Sequence, residues 1–161
     1  MQDLLPLAER AGARLKARGE TIAVAESSAG GLIAASLLSV AGASAYFVGG
    51  TVIYTRAARR GLLHISDADM AGIRPSTEAY ALLLARRVRQ HHGTVWGLAE
   101  TGATGPTGNR YGDAAGHCCI AISGPREIAL TLETGSPGRV ENMRAFAAKA
   151  LATLAERLEH V

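Results

Sequence analysis

Two turns constrain this chain more than any other feature. Each follows a short β-like run, and each is rich in glycine and small hydroxyl residues. The first is Ala25-Glu26-Ser27-Ser28-Ala29-Gly30-Gly31, which leads into a helix. The second is Glu100-Thr101-Gly102-Ala103-Thr104-Gly105-Pro106-Thr107-Gly108. Backbone N–H groups at such turns, and at helix starts, point outward and attract anions. Two of them in one short chain point to a phosphate-bearing ligand held between them.

The residues around these turns define the elements. Leu4, Leu7, Ala8, Ala11 and Leu15 recur at helical spacing, and Gly19 supplies a stop. Residues 21–25 are short, apolar and partly β-branched, so they form a strand. Residues 31–40 form a helix capped by Ser27 or Ser28. Residues 46–54 form a second strand, in which Gly49-Gly50 marks a bulge or a close backbone approach. Thr55 caps a short helix through Leu63, and Pro75-Ser76-Thr77 opens another that runs to about His91. Residues 94–98, 117–123 and 128–133 are strands, the last two joined at Gly124-Pro125. Val140, Met143, Phe146, Ala147, Ala150, Leu151, Leu154 and Leu158 line one side of a terminal helix. Early alternation followed by a late hairpin predicts an α/β fold, a three-layer α/β/α sandwich with a mixed sheet. Residues 1–161 read as one domain. Both glycine turns follow strands, so they can share one rim, where ligands sit in such sheets.

Composition narrows the partners. The chain has 161 residues, 48% apolar and only 4% aromatic, with a formal charge of +3. This supports a full core and argues against disorder. Arginine carries nearly all the positive excess, in clusters at Arg56, Arg59 and Arg60 and at Arg86, Arg87 and Arg89. No aromatic residues are interleaved with them, so a nucleic-acid surface is not expected, whereas an anionic small molecule fits. Cys118 and Cys119 are neighbours on a strand and point to opposite faces, so they do not pair with each other. His117-Cys118-Cys119 also lacks metal-ligand spacing, and no metal is expected. The first ten residues do not read as a signal peptide, and no apolar stretch is long enough to span a membrane. A cytoplasmic protein is the expectation.

Several residues could carry chemistry. Glu26 stands at a strand end, where a carboxylate either orients substrate or bonds the N–H groups of its own turn. Ser27 and Ser28 occupy a tight strand-to-helix turn, the place of a nucleophile or of a plain helix cap. A nucleophilic serine needs a base. His64, His91, His92, His117 and His160 all stand in contexts distant from the serines in sequence. Tyr54 can donate to an oxyanion or stack on a base. Arg59 can clamp phosphate but cannot act as a base. In the second turn, Thr101, Thr104 and Thr107 can add hydroxyls to the backbone donors around Gly102 and Gly105. Asn109, Arg110, Tyr111 and Asp113 follow as a polar stretch. Ser28, Gly30 and Gly31 complete the expected anion-binding set on the first turn.

These segments resemble the CinA C-terminal domain family over nearly the whole chain. Residues 25–31 resemble its Ala-Glu-Ser-Cys-Thr-Gly-Gly motif, and Gly42-Ala43-Ser44-Ala45-Tyr46-Phe47 its Gly-Ser-Ser-Ala-x-Phe stretch. Val52-Ile53-Tyr54-Thr55 resembles its Val-Thr-Tyr-Ser strand end. Thr101-Gly102-Ala103-Thr104-Gly105-Pro106 resembles its Ser/Thr-Gly-Ile-Ala-Gly-Pro loop. The resemblance implies an amidohydrolase that converts nicotinamide mononucleotide, a pyridine nucleotide, to nicotinate mononucleotide and ammonia. It implies no metal and no cofactor. Ser27, Ser44, Tyr54, Thr101 and Arg144 match motif positions. On this expectation Ser27 attacks the amide, Tyr54 and turn N–H groups hold the oxyanion, and Arg59 grips phosphate.

The chain also departs from the family pattern. Ser-Cys-Thr becomes Ser27-Ser28-Ala29. A lysine becomes Arg59, which removes a possible general base, an effect worth roughly 10²–10⁴-fold in rate. A late Gly-Asp-Arg becomes Gly138-Arg139-Val140. The larger N-terminal domain of two-domain relatives is not expected. A second expectation therefore stands beside the first: a catalytically silent nucleotide-binding or regulatory protein. Small-residue helices such as residues 31–40 suit a homo-oligomer.

Overall fold

A computed structural model describes residues 2–159; Met1, His160 and Val161, and with them the chain-end histidine, lie outside the described residues. Five strands form one mixed sheet in the order β2-β1-β3-β4-β5. The strands are β1 (Ile22–Glu26), β2 (Phe47–Val52), β3 (Trp96–Ala103), β4 (His117–Ser123) and β5 (Ile128–Glu133). β1 runs parallel to both β2 and β3, whereas β3, β4 and β5 are joined antiparallel. The helices are α1 (Leu5–Arg18), α2 (Leu32–Leu38), α3 (Arg56–Leu63), α4 (Glu78–His92) and α5 (Arg139–Glu159). A short 3₁₀ turn, Ala43–Ala45, precedes β2.

The sheet separates two cores, which makes the three-layer α/β/α sandwich. One core packs α1, α2 and α5 on Ile22, Val24, Trp96, Leu98, Cys118 and Ile120. The other packs α3 and α4 on Ala23, Ala25, Ala99, Cys119 and Ala121. Side chains alternate along each strand, so adjacent residues serve opposite cores. Cys118 and Cys119 obey this rule: both are buried and unpaired, one in each core.

Element boundaries differ from expectation in two informative places. β3 continues to Ala103, although the pattern suggested an end at Leu98. Its parallel partner β1 pairs only as far as Ala99, but antiparallel β4 carries the ladder on through Glu100↔Ile120 to Ala103↔His117. Thr101 and Gly102 are therefore strand residues. The bulge expected at Gly49-Gly50 lies one residue earlier, while the close approach falls at Gly50. The register slips between Ile22 and Ala23, leaving Val48 as the extra residue. A Cβ on Gly50 would also meet the Ala34 Cβ at 3.0 Å, so β2 and α2 approach closely there.

No helix among the described residues is long and apolar enough to cross a membrane.

Candidate functional site

β1 and β3 lie side by side and parallel, so their C-terminal ends open on one rim. Ser27, just beyond β1, and Thr101, late in β3, share it. The second strand of that parallel set, β2, delivers Tyr54 just beyond its end. α3 follows at once, and the Thr55 Oγ1 caps it by accepting the Ala58 N–H at 3.1 Å. This places Arg59 on the inward face, where it is buried.

These residues line a cavity of about 600 Å³ that includes Ser27, Tyr54, Arg56, Arg59, Thr101 and Gly102. Ser76 and Tyr80 close it from the start of α4, and Asn109, Arg110 and Tyr111 from the loop after β3. Three arginines and three tyrosines line it, and no carboxylate does. Gly102 is needed at its place: a Cβ there would stand 2.3 Å from the His117 carbonyl oxygen. Among the described residues no group of three or more His, Cys, Asp or Glu side chains is arranged to hold a metal.

Beneath the serine turn lie two buried carboxylates. Glu100, on β3, accepts the Ser27 N–H at 3.1 Å, the Ala29 N–H at 2.8 Å and the Ser28 hydroxyl at 2.5 Å. Glu26, at the end of β1, accepts N–H groups from Gly31, Ile33 and Ala34 at 2.9, 3.0 and 2.7 Å. Glu26 thus caps α2. Neither Ser27 nor Ser28 does so, and the N-cap residue Gly31 brings no side chain. A carboxylate accepts several donors where a hydroxyl accepts one or two, and it suits the positive end of the helix. Burial pushes Glu26 up to about 7 although the three N–H groups favour its charged form. Burial also raises Glu100, against the pull of Ser28 and the two amides.

This corrects the anion-binding expectation for the first turn. Its main-chain donors at Ser27, Ala29 and Gly31 already serve internal carboxylates. They cannot also form an oxyanion hole or a phosphate cradle. The donors facing the cavity are side chains instead. Arg59 is the clearest: its Nε is buried with no hydrogen-bond partner, while Nη2 donates to Asp67 at 3.1 Å.

The structure brings Ser27, Tyr54, Thr101, Arg59 and Gly102 to one cavity and leaves other expected residues elsewhere. Ser44 lies in the turn before β2, at the opposite end of the parallel strands. Gly30 faces Met143 of α5, in the far helical layer, and Gly31 faces Val52. The Gly105 carbonyl accepts from Arg139, Thr107 is exposed at the loop tip, and Arg144 is exposed on α5. Two causes act: the cavity opens on the α3–α4 side, away from the α5 layer that carries Arg144 and faces Gly30, and Ser44 stands at the opposite end of the strands.

Sequence reasoning missed Glu100, Ser76 and Tyr80 as parts of the site. Glu100 carried a signal, a lone charge directly after the apolar run Trp96-Gly97-Leu98-Ala99, where a buried strand has no room for an unpaired carboxylate. Ser76 and Tyr80 carried none, since only the fold places them opposite Ser27. A strap holds the outer wall. Arg74 grips Asp113 with bonds of 2.6 and 3.0 Å, and Asp113 accepts from Asn109 at 2.8 Å. That Arg74 fork holds the Asp113 carboxyl down to about 2. His117 bridges the Glu133 carboxylate at 2.5 Å and the Ser76 carbonyl at 2.9 Å. Burial lowers its pKa, but those two acceptors outweigh burial and leave it raised.

Known proteins share this chain's sequence and shape. Residues 4–158 match the family model of the CinA C-terminal domain. A CinA-like protein of Acaryochloris marina is 39% identical over 71% of this chain, and one of Anaeromyxobacter dehalogenans is 38% identical over 90%. The matched stretches span 27% and 36% of those relatives, so this chain corresponds to about a third of their length. Among solved structures, a competence/damage inducible protein from Agrobacterium tumefaciens superposes with a TM-score of 0.87 at 28% identity, covering 98% of this chain and 96% of that one. A CinA superfamily protein from Klebsiella pneumoniae gives 0.91 at 25% identity, covering 98% and 99%. The chain belongs to the CinA C-terminal domain family.

Proposed function

We propose that this chain is an amidohydrolase acting on nicotinamide mononucleotide or a close analogue, releasing ammonia and the carboxylate nucleotide. The observation that carries this is the meeting of Ser27 from β1 with Arg59 from α3 in one cavity free of carboxylates. A cavity of this charge suits a phosphomonoester, and Arg forks match its geometry. Tyr54, Tyr80 and Tyr111 offer flat apolar faces to a heteroaromatic ring. The roughly 600 Å³ of space lies in the usual range for a small-molecule site.

In this reaction the Ser27 Oγ bonds to the amide carbon. Its proton passes to the amide nitrogen, the C–N bond breaks and ammonia leaves. Water then cleaves the resulting ester, giving the carboxylate and restoring the hydroxyl. The Tyr54 and Thr101 hydroxyls are the donors for the oxyanion. Glu100 holds the turn from below and keeps Ser27 fixed at the cavity wall.

A second reading is a nucleotide-binding protein without turnover. It is favoured by one observation: no cavity-lining side chain is a carboxylate, histidine, lysine or cysteine. None therefore takes the serine proton near neutral pH by the usual route. Ammonia release from nicotinamide mononucleotide, measured beside calorimetric binding, separates the two. Release that is abolished in Ser27→Ala, with binding retained, supports hydrolysis. Binding with no release from either protein supports the second reading.

A further inference from the structure

We propose that Asp67 is a positioning residue that aims Arg59 at the phosphate of the ligand, so that Asp67 sets the preference for phosphorylated over unphosphorylated substrates. The inference rests on the reading of the cavity as a nucleotide site and names a residue outside the cavity that controls it.

Arg56, Arg59 and Arg60 stand at i, i+3 and i+4 on α3, so their guanidinium groups share one face and repel one another. Asp67, on the connection between α3 and α4, meets all three. Its Oδ1 accepts from Arg56 Nε and Arg59 Nη2, each at 3.1 Å. Its Oδ2 accepts from Arg56 Nη2, and Arg60 Nη1 lies 3.8 Å away. Asp67 is half exposed, whereas the Arg59 side chain is only 7% exposed.

Position decides between two roles. A carboxylate inside the cavity would compete with an anionic ligand. Asp67 does not line the cavity; it holds the guanidinium from the outer side. That leaves the Arg59 Nε, buried and without a partner, as the donor not yet used. A buried guanidinium donor without an acceptor is costly, and a phosphate oxygen entering from the cavity would satisfy it. One carboxylate among three arginines also leaves two positive charges, which matches a phosphomonoester dianion at neutral pH.

The test is calorimetric titration of the wild type, Asp67→Asn and Asp67→Glu with inorganic phosphate, nicotinamide mononucleotide and nicotinamide riboside. Asp67→Asn is expected to weaken phosphate and mononucleotide binding about tenfold, the weight of one charge-assisted hydrogen bond, and to leave riboside binding unchanged. Asp67→Glu should restore most of the loss. Where turnover is measurable, the change should fall on KM with kcat retained. Tighter phosphate binding in Asp67→Asn would mean that Asp67 competes, and would overturn the proposal. Equal weakening of mononucleotide and riboside would reduce Asp67 to a structural residue and overturn it as well. Inorganic phosphate separates this outcome from the wider one. If phosphate binding depends on Asp67 but neither pyridine compound binds, the positioning role stands and the pyridine nucleotide reading falls.

Discussion

The serine turn and the arginine helix border the same cavity and manage charge in opposite ways. The serine turn has many donors, and most of them are taken by internal acceptors. Glu26 and Glu100 accept six donor groups of the turn and of the start of α2 between them, Glu100 also takes the Cys118 thiol, and both carboxylates are buried. The arginine helix has one internal acceptor, Asp67, for three guanidinium groups, and it keeps a buried Nε unpartnered. The first region is closed on itself and holds geometry. The second is open and holds affinity. A glycine-rich strand-to-helix turn is thus not an anion site by virtue of its composition. It becomes one only where the protein's own acids leave its donors unoccupied.

Removing Glu100 should break the closed region most severely. Glu100→Ala leaves two amide N–H groups and one hydroxyl buried without an acceptor, and the expected loss is about 2–4 kcal/mol of stability. Urea denaturation measures it; an unchanged midpoint would mean that the turn finds other acceptors. On the open side, Arg59→Met keeps the volume and removes the donors. Phosphate affinity should fall roughly 10–100-fold with little change in the urea midpoint. A large stability loss with intact phosphate binding would reverse the contrast between the regions.

A subtler effect concerns pH. The folded Glu26 carboxyl stands at about 7, above its ordinary value of 4.5. The folded protein therefore holds a proton that the unfolded chain releases. The stabilisation from this group is complete below about pH 4.5 and is lost as pH rises through 7, on the order of 3 kcal/mol in all. Glu100 tilts the profile the same way. Glu26→Gln should make the fall in stability between pH 5 and 8 shallower, without removing it. An identical slope in both proteins would show that Glu26 does not titrate there. The smallest effect is expected at Arg144. Arg144→Ala should change stability by less than about 0.5 kcal/mol and leave phosphate binding unaltered, because the side chain is exposed on the far layer.

The fold was legible because it rests on local pattern. Apolar spacing marked α1 and α5, and Thr55 and Gly19 fall at helix ends. Adjacent Cys118 and Cys119 divide between two cores because strand side chains alternate. The site was legible only in part. Ser27 and Tyr54 follow strands of the parallel set and Thr101 lies near the end of a third, so their meeting follows from topology. Ser44 and Arg144 stand in motif-like segments as well, yet the fold sends them to the opposite rim and the opposite layer. Sequence proximity to a motif says nothing of which face of the sheet a side chain occupies.

By itself, the order of residues determined the alternation of helices and strands, the mixed sheet, and two turns at one rim, since each depends on periodicity and on glycine within a few residues. Only the tertiary structure decided how the donors and acceptors pair. Glu100 reaches Ser27 across 73 positions of the chain, and His117 reaches Ser76 across 41. Such pairs form because the packed sheet excludes water and every buried charge must then find its partner, wherever along the chain that partner lies.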